Sequence, residues 1–209
     1  MTRNAKENDY CPVIAAFICS WNDSLPDQDR TRLLTPLLPR LVGTRSTPEI
    51  EQRRSYLALD WLVRTYTSAW LDLVEACKAD AAALRALAPV LDEAAAKSAL
   101  STIRHARDAT CDAMYAAWAA EDPWDWDERA AKDATWAAAD AAMYAAQAAW
   151  AAGEAAWDAG DAARVARAAG AARAVGAAWA ARARLRPVVI DLQASALRLI
   201  DSMLAEHAA

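Results

Sequence analysis

Apolar positions along this chain recur at spacings of three and four residues, which is typical of amphipathic helices. One helix start is clear at Ser46-Thr47-Pro48-Glu49, which combines a capping residue, an early proline and a glutamate. We expect this helix to run to about Lys78. Its apolar face comprises Leu59, Leu62, Val63, Tyr66, Trp70, Leu73, Val74 and Cys77.

The same spacing predicts shorter helices on both sides of this one. Pro36 and Pro39 interrupt a leucine-rich stretch, which should therefore form short, kinked helical pieces. The remaining predicted helices cover Cys11–Trp21, a short stretch from Asp80 to about Pro89, about Leu91–Glu121, and the region from Pro187 onward.

Residues 123–186 form a different kind of segment, because after Pro123 they contain no proline and consist of alanine with spaced large side chains. A single straight helix of this length would span about 96 Å at 1.5 Å per residue. We therefore expect a long antiparallel helical hairpin that turns near Gly160 or Gly170. The predicted fold is an all-α, single-domain helical bundle over 1–209, with leucine- and aromatic-core helices (11–121), the Ala/Trp-rich hairpin (123–186) and a C-terminal packing helix (187–207).

Composition supports this fold class and narrows the functions. The 58 alanines among 209 residues disfavour a β-sheet protein, and the five scattered glycines form no phosphate-binding loop. A net charge of −5 disfavours nucleic acid as a partner. Neither a signal peptide nor a transmembrane span is predicted, so we expect a cytoplasmic protein with reduced cysteines and no membrane association.

An alternation of acids and aromatics at seven-residue spacing is the most informative pattern in the chain. Asp133, Asp140, Gln147, Glu154 and Asp161 recur every seven residues, and a large apolar residue follows three positions after each of the first four. Residues three and four apart share one helix face, so acid and ring alternate along one stripe. The candidate ligand-binding residues are Asp133, Trp136, Asp140, Tyr144, Trp150, Glu154, Trp157 and Asp161.

Two interpretations of this stripe remain open. In the favoured interpretation the tryptophans are part of the core, since an aromatic stripe at helical spacing is usually buried. Their large rings then fill the volume that alanine side chains are too small to fill. In the other they line a groove, with the carboxylates, for a protein partner or a small cationic, apolar ligand. A milder version of the pattern precedes it, at Asp108, Asp112, Tyr115, Trp118 and Asp122.

Acidic and basic residues are concentrated in two consecutive segments of the chain. Residues 121–161 hold ten acids against Arg129 and Lys132, whereas residues 162–186 hold six arginines and no acid. This division predicts either that the two arms of the hairpin pair with each other or that a homodimer does the same.

Other polar residues give weaker indications. Asp60 and Arg64 are four residues apart beside the apolar face, and we interpret them as an internal ion pair rather than a substrate site. His105 lies one turn before Asp108, which could orient its ring. The acids from Asp122 to Glu128 fit a helix start better than a metal site. No catalytic residue, metal or cofactor is therefore expected.

The segment Ser55–Leu73 (SYLALDWLVRTYTSAWLDL), followed by Ala/Trp/Asp-rich helices, resembles a group of uncharacterised helical proteins of actinobacteria. The alanine-rich part is similar in composition to immunity proteins that neutralise toxins. The leading hypothesis is a non-enzymatic binding protein, and the second resemblance implies that it is of the immunity or self-resistance type. The alternatives are a small all-α enzyme with an aromatic-lined, carboxylate-bearing pocket, of the terpene-cyclase kind, and a purely structural homodimer.

Overall fold

The structure is a computed structural model that describes residues 9–119, 126–153, 165 and 178–206. All regular secondary structure in these residues is helical, and none of them lies in a strand. This confirms the all-α, single-domain bundle that the alanine content and the helical spacing predict.

The N-terminal part forms short helices that turn at prolines. Helix α1 (Pro12–Ser24) is followed by α2 (Asp27–Leu34), a 3-10 turn (Thr35–Leu37) and α3 (Leu38–Leu41). Pro36 and Pro39 each occupy one of the first two positions of a new piece, where a missing backbone N–H costs nothing. The predicted kinked pieces are therefore confirmed.

The long central helix begins where predicted but ends earlier. Helix α4 (Pro48–Asp60) continues as a π-helical segment (Trp61–Thr67) and as α5 (Ser68–Leu71). The predicted end near Lys78 is wrong. After Leu71 the backbone forms hydrogen bonds three residues apart, and at Val74 it becomes extended before a 3-10 turn (Glu75–Cys77). Seven of the eight predicted face residues are buried, and Leu73 is exposed because it lies in this turn.

One short helix, α6 (Lys78–Ala86), and three long ones follow: α7 (Glu93–Ala119), α8 (Trp126–Gly153) and α9 (Ala178–Ala205). Helices α7 and α8 pack along their lengths as an antiparallel pair. A β-carbon built on Gly153 would lie 3.2 Å from Cγ of Lys97, so the end of α8 faces the start of α7. At the other end, the rings of Trp118 and Trp136 are 6.3 Å apart.

Helix α8 was predicted to form a hairpin with the segment that follows it. Its described partners are α7, α9, α4, the π-helical segment and α5. Most of the second arm of the predicted hairpin lies outside the described residues, so the pairing of opposite charges stays a prediction.

The last helix contains Pro187 instead of beginning there. In the described residues helix α9 (Ala178–Ala205) passes through Pro187, whose side chain is exposed. The buried side chains Leu185 and Leu192 lie on either side of the proline, so packing supports the helix across the one hydrogen bond that proline cannot donate.

The core has two parts, which differ in the size of their side chains. Around α1, α4 and α5 it consists of large side chains, with edge-to-face packing of Phe17 on Trp61 at 5.6 Å between ring centroids. Around α8 it consists of alanine, as described below. Buried side-chain hydrogen bonds also join different elements: Trp61 Nε1 donates to Ser195 Oγ at 2.9 Å, and Thr67 Oγ1 donates to the carbonyl of Ala141 at 3.2 Å.

Candidate functional site

Helix α8 buries its alanines and exposes its tryptophans. Nine of its alanines are almost fully buried: Ala134, Ala137, Ala138, Ala141, Ala142, Ala145, Ala148, Ala149 and Ala152. Trp136, Met143 and Trp150 form the exposed side of the same helix, with Trp136 47% and Trp150 56% exposed. Neighbouring helices therefore surround α8 except along one narrow line of large side chains.

The favoured interpretation of the tryptophans as core is wrong for Trp136 and Trp150. Alanine has a one-carbon side chain, so helices that meet across alanine faces approach closely and leave no space for an indole. The large rings then occupy the one side of α8 that no described helix covers. Sequence periodicity placed Trp136, Met143 and Trp150 on one line of the helix, but the favoured interpretation assigned that line to the core.

The other predicted members of the stripe fall into two groups. Asp133, Asp140 and Tyr144 are half-buried and flank the exposed line. Glu154, Trp157 and Asp161 lie outside the described residues, so the structure leaves their placement as a prediction. The described part of the stripe is thus a surface line, bordered by half-buried polar side chains, over the last two-thirds of α8.

Helix α7 extends this surface at one end. The indole of Trp118 lies against that of Trp136, with the ring planes at 53° to each other. Tyr115 is one turn earlier on α7, and both α7 side chains are strongly exposed, at 63% for Tyr115 and 67% for Trp118. We call the combined surface the aromatic strip; it consists of Tyr115, Trp118, Trp136, Met143 and Trp150.

Sequence analysis noted the α7 residues only as a milder repeat of the α8 pattern. It did not predict that the two patterns would meet, because that contact depends on the antiparallel pairing of α7 with α8. The available signal was their shared spacing of acid and ring in two consecutive predicted helices.

Acidic side chains continue the strip along α7. Asp108 and Asp112 are exposed and precede Tyr115 at helical spacing. Asp108 accepts hydrogen bonds from the neighbouring Arg107 at 2.6 and 2.9 Å, so its charge is partly balanced. The expected contact of His105 with Asp108 is wrong: His105 Nε2 lies 3.6 Å from Asp80 Oδ1, on α6.

The predicted internal pair of Asp60 and Arg64 is confirmed. Arg64 Nη1 lies 3.2 Å from Asp60 Oδ1, and both side chains are about three-quarters buried. The same Asp60 oxygen accepts a 2.8 Å hydrogen bond from the backbone N–H of Val90, which ties α4 to the loop before α7. This carboxylate is therefore already occupied by structural contacts.

A buried arginine that sequence analysis did not identify lies on α4. Arg54 is 2% exposed and donates three hydrogen bonds to carbonyl oxygens: from Nε to Met203 at 2.8 Å, from Nη1 to Thr44 at 2.7 Å, and from Nη2 to Glu206 at 2.8 Å. It thereby joins α4, the loop after α3 and the end of α9. The only signal was one cationic residue at helical spacing from Ile50 and Ala58.

The remaining reactive groups are dispersed. The four cysteines are free, and burial, followed by the charge of Asp80, raises the pKa of the Cys77 thiol. Within the described ranges, no three His, Cys, Asp or Glu side chains converge as metal ligands would. No described helix is both long and apolar enough to cross a lipid bilayer.

The chain was also compared with known proteins. No protein family, curated protein or solved structure matches it.

Proposed function

We propose that this protein is a non-enzymatic binding protein and that the aromatic strip is its contact surface for a protein partner. The single observation that carries this proposal is the exposure of Trp118 and Trp136 as a contacting pair while the alanines beside Trp136 are buried. Tryptophan is enriched among the residues that dominate binding energy at protein interfaces. An exposed line of large apolar side chains marks an interaction surface more often than chance.

The length of the strip favours a protein over a small molecule. Trp136 and Trp150 are fourteen residues apart on one helix, which corresponds to about 21 Å along its axis. A helix or strand of a partner can contact both rings at once, whereas a drug-sized ligand cannot. A small cationic, apolar ligand therefore remains the less favoured form of the proposal.

Charge indicates the chemistry of the partner. The strip is followed along α7 by Asp108 and Asp112, and residues 121–161 hold ten acids against two bases. A partner surface that combines apolar side chains with lysine or arginine would complement this distribution. Arginine could in addition lie over the exposed indole faces.

The resemblance to immunity proteins suggests the biological form of this binding. In that form the partner is a basic toxin whose activity is blocked in the complex, and binding takes place in the cytoplasm. A toxin with a cationic surface fits the acidic character of this chain.

The proposal is tested by comparing the partners of three versions of the protein. The wild type, Trp118→Ala/Trp136→Ala/Trp150→Ala, and the control Leu38→Ala/Ile190→Ala are used as baits in lysate of cells that carry the gene. The control removes exposed apolar side chains elsewhere on the surface. A protein retained by the wild type and the control but lost with the triple variant is then purified and its affinity measured by calorimetry.

Two results would contradict the proposal. Retention of every captured protein by the triple variant would show that the strip is not the contact surface. A wild type that is dimeric by light scattering, combined with a monomeric triple variant, would assign the strip to self-association instead.

A further inference from the structure

An open cavity of about 320 Å³ lies where the loop after α3 meets α4 and the end of α9. This cavity is separate from the aromatic strip and is independent of the proposed function. Its polar lining consists of Arg40, Thr44, Arg45, Ser46 and Arg54. Three arginines thus line one cavity, and its described lining residues include no carboxylate.

The charge of Arg54 is the unusual feature of this cavity. Its guanidinium contacts only backbone carbonyls and forms no ion pair with a described carboxylate. Buried charged side chains are almost always paired with an opposite charge. The carbonyls of Met203 and Glu206 belong to the end of α9, where the helix dipole supplies about half of a negative charge, so compensation is incomplete.

Three acids nearby lie beside other arginines, although the buried Glu51 Oε1 accepts no hydrogen bond from a described residue. Arg40 Nη2 lies 2.7 Å from Asp201, Arg53 Nε lies 3.2 Å from Glu206, and Arg45 Nε lies 3.9 Å from the buried Glu51. Arg54 takes part in none of these three contacts, so its positive charge has no described carboxylate as a partner. An anion in the cavity would supply the missing negative charge.

We propose that this cavity binds a small oxyanion, a phosphate or carboxylate group of a metabolite. Arg54 is held rigidly by its three carbonyl contacts and provides the fixed positive charge. Arg40 and Arg45 are about half exposed, so their guanidinium groups can turn from their surface carboxylates to form paired hydrogen bonds with the anion.

The loop itself leaves room for such a ligand. Gly43 adopts a φ of +76°, and a β-carbon built on it would meet nothing within 4 Å. Val42 and Leu204 add an apolar edge to the cavity, which suits the carbon skeleton of an organic phosphate or acid. The cavity volume lies at the lower end of the range for small-molecule sites, which is about 300–1,000 Å³.

Glycine-selective ¹⁵N labelling provides a direct test, since the chain has only five glycines. The amide signal of Gly43 is assigned by its loss in Gly43→Asn, a residue that tolerates positive φ. Potassium phosphate and sodium acetate are titrated separately, with sodium chloride at matched ionic strength as the reference. The amide signal of Gly153, which lies at the end of α8 and does not line the cavity, is the internal control.

We expect a saturable shift of the Gly43 signal with phosphate, acetate or both, and none with chloride. In Arg40→Gln/Arg45→Gln the apparent dissociation constant should rise by about tenfold, because two charge-assisted contacts are lost. Arg85→Gln removes an equally exposed, ion-paired arginine elsewhere and should leave the constant unchanged. The anion that saturates at the lower concentration identifies the ligand as a phosphate or a carboxylate.

The proposal is overturned by a Gly43 shift that is no larger with either oxyanion than with chloride. An unchanged dissociation constant in the double variant would overturn it equally. Far-UV circular dichroism verifies that the double variant is folded, and Arg45→Gln alone serves in its place if it is not.

Discussion

The indole rings of Trp118 on α7 and Trp136 on α8 contact each other at 6.3 Å between centroids while both remain largely exposed. Aromatic pairs at this distance and a tilted angle attract each other beyond the area that they bury. The pair thus connects the ends of two antiparallel helices and at the same time presents two ring surfaces to solvent. The tryptophans whose side chains the structure describes therefore form two classes: Trp21, Trp61 and Trp70 are buried, whereas Trp118, Trp136 and Trp150 are exposed.

The two classes should differ sharply in their contribution to stability. Trp70→Ala should lower the free energy of unfolding by about 3–5 kcal/mol, because the ring is 1% exposed and fills the large-side-chain core. Trp150→Ala should change it by no more than about 0.5 kcal/mol, since the ring is mostly in solvent. Urea denaturation followed by circular dichroism measures both. Equal losses for the two variants would mean that Trp150 is buried in solution.

Larger side chains on the alanine faces of α8 should lower the stability of the protein. Ala142 and Ala149 are fully buried against neighbouring helices, so Ala142→Leu and Ala149→Leu should each cost about 1–3 kcal/mol through overpacking. Gln147→Leu is the matched control, because Gln147 is exposed on the same helix. The free energy of unfolding from urea titration is the measurement. A stabilising effect of leucine at Ala142 would indicate loose packing there.

These alanine faces also explain how far the sequence could predict the fold. Spacing and proline positions predicted the start of α4, the short pieces around Pro36 and Pro39, and the approximate start of α7. The side of α8 that faces the core was not predictable from periodicity, because alanine is apolar and small on every side of the helix. The space left for a ring such as Trp136 depends on how closely the helices approach, which is a tertiary property.

The candidate sites were predictable only in part for the same reason. The members Trp136 and Trp150 of the aromatic strip follow from a seven-residue pattern within one helix. The contact of Trp118 with Trp136 needs the α7–α8 pairing, and the role of Arg54 needs the end of α9, which is about 150 residues away in sequence. Local spacing carries no information on contacts of that range.

Alkaline pH should destabilise the protein through Tyr56. Burial, reinforced by the carboxylates of Glu93 and Asp92, raises the pKa of Tyr56 to about 12. The unfolded phenol ionises at about pH 10, so the unfolded state binds fewer protons than the folded state between pH 10 and 12. Through this group the free energy of unfolding should fall by up to about 1.4 kcal/mol per pH unit across that window.

The contribution of Tyr56 is isolated by comparing two conservative variants. In Tyr56→Phe the fall in stability between pH 10 and 12 should be shallower than in the wild type, as measured by urea denaturation at each pH. Tyr115→Phe is the control, because Tyr115 is exposed and its substitution should leave the slope unchanged. Parallel slopes in the wild type and Tyr56→Phe would contradict the raised pKa.

The two contacts of Asp60 should be separable by substitution. Asp60→Ala removes both the ion pair with Arg64 and the acceptor for the N–H of Val90, and should cost about 1.5–3 kcal/mol, as hydrogen bonds to charged groups do. Asp60→Asn retains a neutral acceptor and should cost less. Asp72→Ala is the control, since its pair with Arg85 is exposed and should contribute no more than about 1 kcal/mol.

Hydrogen exchange at Val90 distinguishes the bond to Asp60 from a general loss of stability. The Val90 amide should exchange faster in Asp60→Ala than in Asp60→Asn. Each variant is measured at a denaturant concentration that lies equally far below its own unfolding midpoint. Because the bond ties α4 to the loop before α7, its loss should loosen this loop before the remaining core. Identical exchange rates in the two variants would show that the carboxylate acts through Arg64 alone, and that the Val90 contact contributes nothing to the position of α7.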